Sequence, residues 1–239
     1  MMVLRLIFRV FVLLTGICLL LPIVAAYRVV VPTSKDFGLH ARQFMAQKLI
    51  KLWNIKIIPF GNPVQGNYLY VSNHQSYLDP LVIMNWILFL PVAKMEVKDW
   101  FLIGYGLHLT GTIFVKRESR ESRLNTIDAV RKSLRQKLPV LVFPEGTTTA
   151  ANSTIPFRPG CFRVATEENI GVIPIAIRYR DPQLAFINDD KFVPHLVKVL
   201  GRSCITVEIH FSEPVFDDVH EILLQRCKTQ IDNMLQSRF

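Results

Sequence analysis

Residues 10–26 run for 17 positions without a charge, and Arg5 and Arg9 precede them. At about 1.5 Å per residue, a helix of that length is near the lower limit for crossing a bilayer. The pattern then changes. Phe37, Ala41, Phe44, Met45, Leu49, Leu52 and Trp53 recur at helical spacing, with Arg42, Gln43, Gln47, Lys48 and Lys51 between them. This predicts an amphipathic helix whose basic face could lie among lipid headgroups; a helix packed on a core fits the same spacing. Beyond Gly61, short apolar runs predict strands at 68–72, 91–94, 112–115, 140–143, 172–177 and Ile205–Phe211. Between and after them, helical periodicity falls at 80–88, 97–108, 119–137, 162–168 and 218–236. The 119–137 segment is the best defined. Leu124, Ile127, Val130 and Leu134 form its stripe, acids Glu118 and Glu121 open it, and Arg131, Lys132, Arg135 and Lys137 close it, as the helix dipole prefers.

Alternating strands and helices predict an α/β fold: a single, largely parallel sheet flanked by helices and preceded by an N-terminal two-helix membrane element. The expected division is residues 1–58 for the membrane element and 59–239 for the α/β domain.

Charge sharpens that division. The chain of 239 residues has a net charge of +9, which by itself resembles a nucleic-acid signature. Residues 1–60 hold eight Lys/Arg and one acid, a balance of +7, while residues 61–239 hold 20 basic and 18 acidic residues, a balance of +2. The basic charge therefore belongs to the apolar arm, which suits an anionic leaflet better than a nucleic acid. Three readings of the arm compete: a spanning anchor, a helix embedded in one leaflet, and a signal peptide cleaved near Val24-Ala25-Ala26. More Lys/Arg follow the apolar segment than precede it, which places the following domain on the cytoplasmic side of the inner membrane. The cysteines Cys18, Cys161, Cys204 and Cys227 form no CxxC pair, so neither a zinc site nor a disulfide framework is expected.

Open α/β sheets carry their sites where strands end. Three polar clusters fall at such ends: 73–79, Lys116-Arg117, and 144–149. His74 and Asp79 are five residues apart in the first. A carboxylate on one imidazole nitrogen fixes the tautomer and leaves the other to take a proton. Asp79 before Pro80 also reads as an ordinary helix cap. The turn Pro144-Glu145-Gly146-Thr147-Thr148-Thr149 could hydrogen-bond a polyol or present backbone N–H groups to an anion; it also reads as a surface loop. Arg117 suits a phosphate, or is a solvated strand-end arginine. Arg158 and Arg163, near Gly160, read the same two ways. No GxSxG, GxxxxGK[ST], GxGxxG or HExxH motif is present.

Taken in order, these segments resemble a known family. Asn73-His74-x-Ser76-x-x-Asp79, then Phe114-Val115-Lys116-Arg117, then Phe143-Pro144-Glu145-Gly146-Thr147, then Val172-Ile173-Pro174-Ile175 are similar to the four ordered blocks of the glycerolipid acyltransferases, which include the bacterial 1-acylglycerol-3-phosphate acyltransferases. Phe157-Arg158-x-Gly160 fits the segment after the third block, and the similarity covers roughly residues 60–215.

The resemblance implies an acyl group moved from acyl-CoA or acyl carrier protein, as co-substrate, to the free hydroxyl of lysophosphatidic acid in phospholipid biosynthesis. No metal or further cofactor is implied. His74 is the implied base, Asp79 its orienter, Arg117 the phosphate ligand, and Glu145, Gly146 and Thr147 the glycerol contacts. Two departures bear on the acceptor. Thr148 stands where many lysophosphatidate acyltransferases have Arg, as in relatives acting on lyso-ornithine lipids or lysophospholipids, and Lys116 stands where the family has an acid. Another lysolipid is thus the alternative acceptor. A lipid hydrolase and a non-catalytic membrane-binding protein are the rival readings.

Overall fold

Tyr70 and Val71 at the centre of the sheet are fully buried, flanked by strands that are apolar at nearly every position. In the computed structural model, which describes residues 2–30, 36–100, 103–187 and 190–237, seven strands form one sheet. They are β1 (Ile55–Phe60), β2 (Leu69–Ser72), β3 (Leu90–Lys94), β4 (Ile113–Val115), β5 (Val140–Val142), β6 (Val172–Tyr179) and β7 (Ile205–Phe211), in the order β1-β7-β6-β2-β5-β3-β4. All neighbours are parallel except β6 and β7. Continuous apolar strands follow from this, since helices cover both faces of a parallel sheet.

The sequence did not signal β1. Pro59 argues against a strand, but β1 is an edge strand whose one neighbour among the described residues is β7, and a missing N–H is tolerated at an edge. The expected division after residue 58 falls inside this strand. A second unforeseen element is α7 (Phe192–Gly201), whose Pro194 lies in its first turn, where proline is accepted. Several expected helices differ in extent. The 80–88 segment is a single turn, α3 (Asp79–Ile83). The 97–108 segment is a 3-10 turn, Met95–Asp99, and then α4 (Ile103–Leu109); its residues 101–102 lie outside the described residues. The 119–137 helix is α5 (Arg120–Arg135), with Ser119 as a working N-cap that accepts from the Ser122 N–H at 3.1 Å. The helices α6 (Gly160–Glu167) and α8 (His220–Gln236) lie close to their expected positions.

The N-terminal arm is the helix α1 (Met2–Val30) followed by α2 (Asp36–Leu52). Helix α1 is long and apolar enough to cross a membrane, yet it does not project from the domain. Near its start the Arg9 guanidinium is buried and donates to the carbonyls of Leu52, Leu200 and Arg202 at 3.2, 2.9 and 2.6 Å, satisfying the exposed ends of α2 and α7. Near its end Val24 is buried and Tyr27 stacks on Phe37 at 4.2 Å. The opposite face leaves Leu4, Ile7, Phe8, Phe11, Leu19 and Ile23 exposed. An apolar strip of that length marks a membrane-associated surface.

Helix α2 departs from the two-faced expectation. It packs inward through Leu39, Ala46, Leu49 and Ile50, and Trp53 just past its end is buried as well. Phe44, assigned to the apolar face, is exposed beneath the Lys48 ammonium at 4.9 Å. Gln43 and Gln47, assigned to the polar face, donate to the carbonyls of Met84 and Asn85 at the end of α3. Arg42 turns into the protein.

Candidate active site

The C-terminal ends of β2, β4 and β5 open into one cavity of about 1130 Å³. His74, Arg117, Phe143, Gly146, Thr147 and Arg158 line it together with an apolar wall from α1, α2, α3 and α4. The three polar clusters separated in sequence therefore meet, because β2 and β5 are neighbours and β4 lies just beyond β3.

The turn after β2 is held by its own polar side chains. Asn73 exchanges two hydrogen bonds with the backbone of Ile177 in β6, at 2.9 and 2.8 Å. Gln75 accepts from the Tyr179 N–H at 3.2 Å. Asp79 is fully buried and closes the turn. Its Oδ2 accepts from the backbone N–H groups of Gln75 and Ser76 at 2.7 and 2.9 Å and meets His74 Nδ1 at 2.8 Å. Its Oδ1 accepts from the Tyr179 hydroxyl at 2.8 Å.

Asp79 is thus no helix cap. Leu78 occupies the cap position of α3, without a side-chain hydrogen bond, and the Asp79 carboxylate faces back toward the turn. Because the carboxylate can only accept, His74 Nδ1 carries the proton and Nε2 is left as the basic nitrogen. The imidazole stacks on Phe143 with centroids 4.0 Å apart and planes at 15°, which fixes its other degree of freedom.

Tyr179 was not foreseen as part of the site. Its one sequence signal was a tyrosine ending the long apolar strand beside β2, where its hydroxyl needs a buried partner. Burial and the neighbouring Asp79 hold the phenol well above its usual pKa, so it stays a donor.

The loop after β5 lies against this turn. The Thr149 N–H donates to the His74 carbonyl at 2.8 Å. Gly146 has φ +71°, and a Cβ there would come within 2.7 Å of Arg158 Nε. The left-handed turn favours glycine at this position, and the absent Cβ leaves room for the guanidinium. Thr147 and Thr148 both line the cavity, and Thr148 donates its hydroxyl to the Phe186 carbonyl. Glu145, expected as an acceptor contact, is 4% exposed and is not among the residues lining the cavity. Its Oε2 accepts from the Thr149 hydroxyl at 3.2 Å, and burial pushes its pKa up to about 7. Chain reversal at Gly146 separates them: Gly146 and Thr147 front the cavity while Glu145 sits beneath the loop.

Arg117 and Arg158 form the cationic end. Arg117 is half-buried, and its pKa is lowered first by burial and then by the charge of Arg158. Folding therefore brings Arg158 beside Arg117; Arg163 is exposed and is not part of the cavity wall. No salt bridge ties either guanidinium to a carboxylate among the described residues. Arg123 donates to the Arg117 carbonyl and fixes that strand end. Lys116 is exposed. The cleft thus joins an oriented imidazole, paired arginines and an apolar chamber, a set suited to moving a proton on an amphiphile with an anionic head.

Comparison with known proteins agrees. The model of a family described as Acyltransferase matches residues 46–178. The chain is 32% identical to a lyso-ornithine lipid O-acyltransferase of Pseudomonas aeruginosa, over 72% of this chain and 71% of that protein. It is 27% identical to a 1-acyl-sn-glycerol-3-phosphate acyltransferase of Saccharomyces cerevisiae, over 70% of this chain and 54% of that protein. In fold it is similar to the crystal structure of PlsC, the 1-acyl-sn-glycerophosphate acyltransferase of Thermotoga maritima. The TM-score is 0.75 at 16% identity, over 99% of this chain and 97% of that one.

Proposed function

The chain belongs to the acyltransferase family, and from that premise we propose that it acylates the free hydroxyl of lysophosphatidic acid at His74. One observation carries the mechanism: the 2.8 Å contact of His74 Nδ1 with a buried, otherwise saturated Asp79 leaves Nε2 as the base at the cavity wall. Nε2 takes the hydroxyl proton as the oxygen attacks the thioester carbonyl of acyl-CoA or acyl carrier protein. A C–O bond forms, the C–S bond breaks, and the proton passes from the imidazolium to the departing thiolate. The scheme needs neither a covalent enzyme intermediate nor a metal. Asp79 stabilises the transient imidazolium, and Tyr179 with two backbone N–H groups holds Asp79 in place.

Arg117 and Arg158 support a phosphate at the other side of the reacting hydroxyl, since paired guanidiniums suit a dianion. Thr147 and the Gly146 backbone border the glycerol. Glu145 supports the loop from beneath rather than touching the acceptor. Docking of both ends of α1 on one body supports an arm embedded in a single leaflet, with the cavity facing the cytoplasmic side. Substrates then enter from the bilayer.

A lyso-ornithine lipid is the second reading. It is favoured by Thr148, whose hydroxyl is committed to the Phe186 carbonyl, and by similarity to the enzyme from P. aeruginosa. Its single carboxylate would use one arginine of the pair. The test is kcat/KM for both lysolipids on purified full-length protein in detergent. Lysophosphatidic acid should be the better substrate; preference for the lyso-ornithine lipid, with Arg158→Ala harmless, gives the acceptor to the second reading. Turnover of neither would favour a non-catalytic membrane protein.

A further inference from the structure

The protein treats its arginines in two ways. Beyond residue 60, Arg131, Arg135, Arg178, Arg180, Arg202 and Arg226 each hold a carboxylate, with closest contacts of 2.7–3.1 Å, and none of them lines the cavity. Arg117, Arg120, Arg123, Arg158 and Arg163 have no carboxylate partner among the described residues. The first four of these line the cavity. Acids are at hand, since Glu118 and Glu121 are exposed in the same stretch, yet they bridge none of these guanidiniums. Cations clustered in a cleft concentrate anions from solution.

Arg117 and Arg158 serve the acceptor phosphate in the proposed mechanism, which leaves Arg120 and Arg123 without a task. Arg120 is the first residue of α5, three positions past Arg117, and is exposed. Arg123 gives Nη1 to the Arg117 carbonyl, and neither its Nε nor its Nη2 is sealed from solvent. Both stand well to one side of the base. They follow β4, which is three strands from β2 in the sheet order, about 14 Å across the sheet.

That separation matters for what they could hold. The acceptor's phosphate and its hydroxyl share one glycerol, so its anion stays close to His74. The donor is built differently. Its thioester sulfur ends a pantetheine arm, and the phosphate at the other end of that arm is much farther from the reacting carbonyl. Coenzyme A and the prosthetic group of acyl carrier protein have this arm in common. Paired guanidiniums suit such a phosphate, which they can grip with two parallel bonds.

We propose that Arg120 and Arg123 bind the phosphate of the donor's phosphopantetheine arm, which then crosses the cavity mouth to bring the thioester to His74. The apolar chamber stays free for acyl chains. The inference rests on the acyl-transfer reading but not on which lysolipid is the acceptor.

The test combines equilibrium binding and kinetics of the full-length protein in neutral detergent. Phosphopantetheine should bind about tenfold or more tighter than pantetheine, as charge-assisted bonds imply. In Arg120→Gln/Arg123→Gln the two should bind alike. The same variant should raise KM for acyl-CoA and for acylated carrier protein by about tenfold, leave acyl-pantetheine unaffected, and change KM for lysophosphatidic acid less. Arg120→Gln alone should show part of this loss, free of any disturbance passed from Arg123 to the Arg117 carbonyl. Whichever of acyl-CoA and acylated carrier protein suffers the larger loss names the source of the phosphate. Equal binding of phosphopantetheine and pantetheine by the wild type overturns the proposal. So does a variant that loses acyl-pantetheine turnover as much as acyl-CoA turnover. A variant with native donor KM that no longer sediments with anionic vesicles overturns it too, and gives these arginines to the bilayer. Phosphate-dependent binding without acyl transfer to any lysolipid would uphold the site and defeat the acyl-transfer reading instead.

Discussion

The histidine side and the arginine side of the cleft are built on opposite plans. Asp79 is completely buried, and both its oxygens are occupied by His74, two backbone N–H groups and Tyr179. Arg117 and Arg158 are placed side by side as like charges, and burial and then the charge of Arg158 lower the Arg117 pKa, with no carboxylate bridging the pair among the described residues. One side is complete before any substrate arrives, which is what a base needs if no reorganisation is to be spent in the transition state. The other is unfavourable until an anion enters. The contrast separates the chemical step from binding: damage to the first side should fall on kcat, damage to the second on KM.

Asp79→Asn should do the greater harm. An amide can present N–H where two backbone donors already point, and it no longer fixes the His74 tautomer. We expect kcat to fall by about 10²–10³ with a smaller change in KM, since orientation is part of the worth of a positioned base. Steady-state kinetics alongside a thermal melt separate this from unfolding; an Asn variant with native melting and native kcat breaks the comparison.

Arg117→Ala should raise KM for lysophosphatidic acid by about 10-fold or more and change kcat less, the size of one charge-assisted hydrogen bond. Arg158→Ala should behave alike. Because the two guanidiniums repel each other, the double variant should lose less than the product of the single effects. A fall in kcat with KM unchanged would move Arg117 to the chemical side of the cleft.

The smallest effect concerns Glu145, which lies beneath the loop between the two sides. Its pKa is raised to about 7 by burial, against 4.5 for an ordinary glutamate. A raised acid binds more protons folded than unfolded between those values, so its contribution is present below about pH 4.5 and lost as pH rises to about 7. Glu145→Gln should therefore melt higher than wild type above pH 7 and no differently near pH 4.5. Melting curves at the two pH values decide it; equal shifts at both would mean that the carboxyl is not held neutral.

The sequence showed the strand-ending clusters because each combines local signals: an apolar run, then His, Gly or Arg at a break. Alternating periodicity likewise gave the α/β class and most strands. What it hid was set by pairing across the chain. β1 carries Pro59 and is recognisable only as an edge strand beside β7. Tyr179 lies beyond the expected 172–177 strand and gains its role only when the longer β6 lies against β2 and its hydroxyl meets Asp79. Arg158 is distant from Arg117 in sequence and joins it only through the turn at Gly146. Arg42 had the spacing of a solvated helix face, and nothing local shows that Thr110 and Thr112 turn it inward. The Asp79–Pro80 pair was ambiguous for the reverse reason, because a cap and a histidine partner share one local pattern.

The central claim is that His74 Nε2 removes the acceptor's proton, and His74→Ala tests it most directly. The measurement is single-turnover acyl transfer from acyl-CoA or acyl carrier protein to lysophosphatidic acid, by full-length protein that stays in the membrane fraction. The account predicts transfer slower by about 10²–10⁴, or about 3–5 kcal/mol of barrier, with unchanged melting and nearly unchanged acceptor affinity. Transfer at close to the wild-type rate in a folded, membrane-bound His74→Ala protein would contradict it.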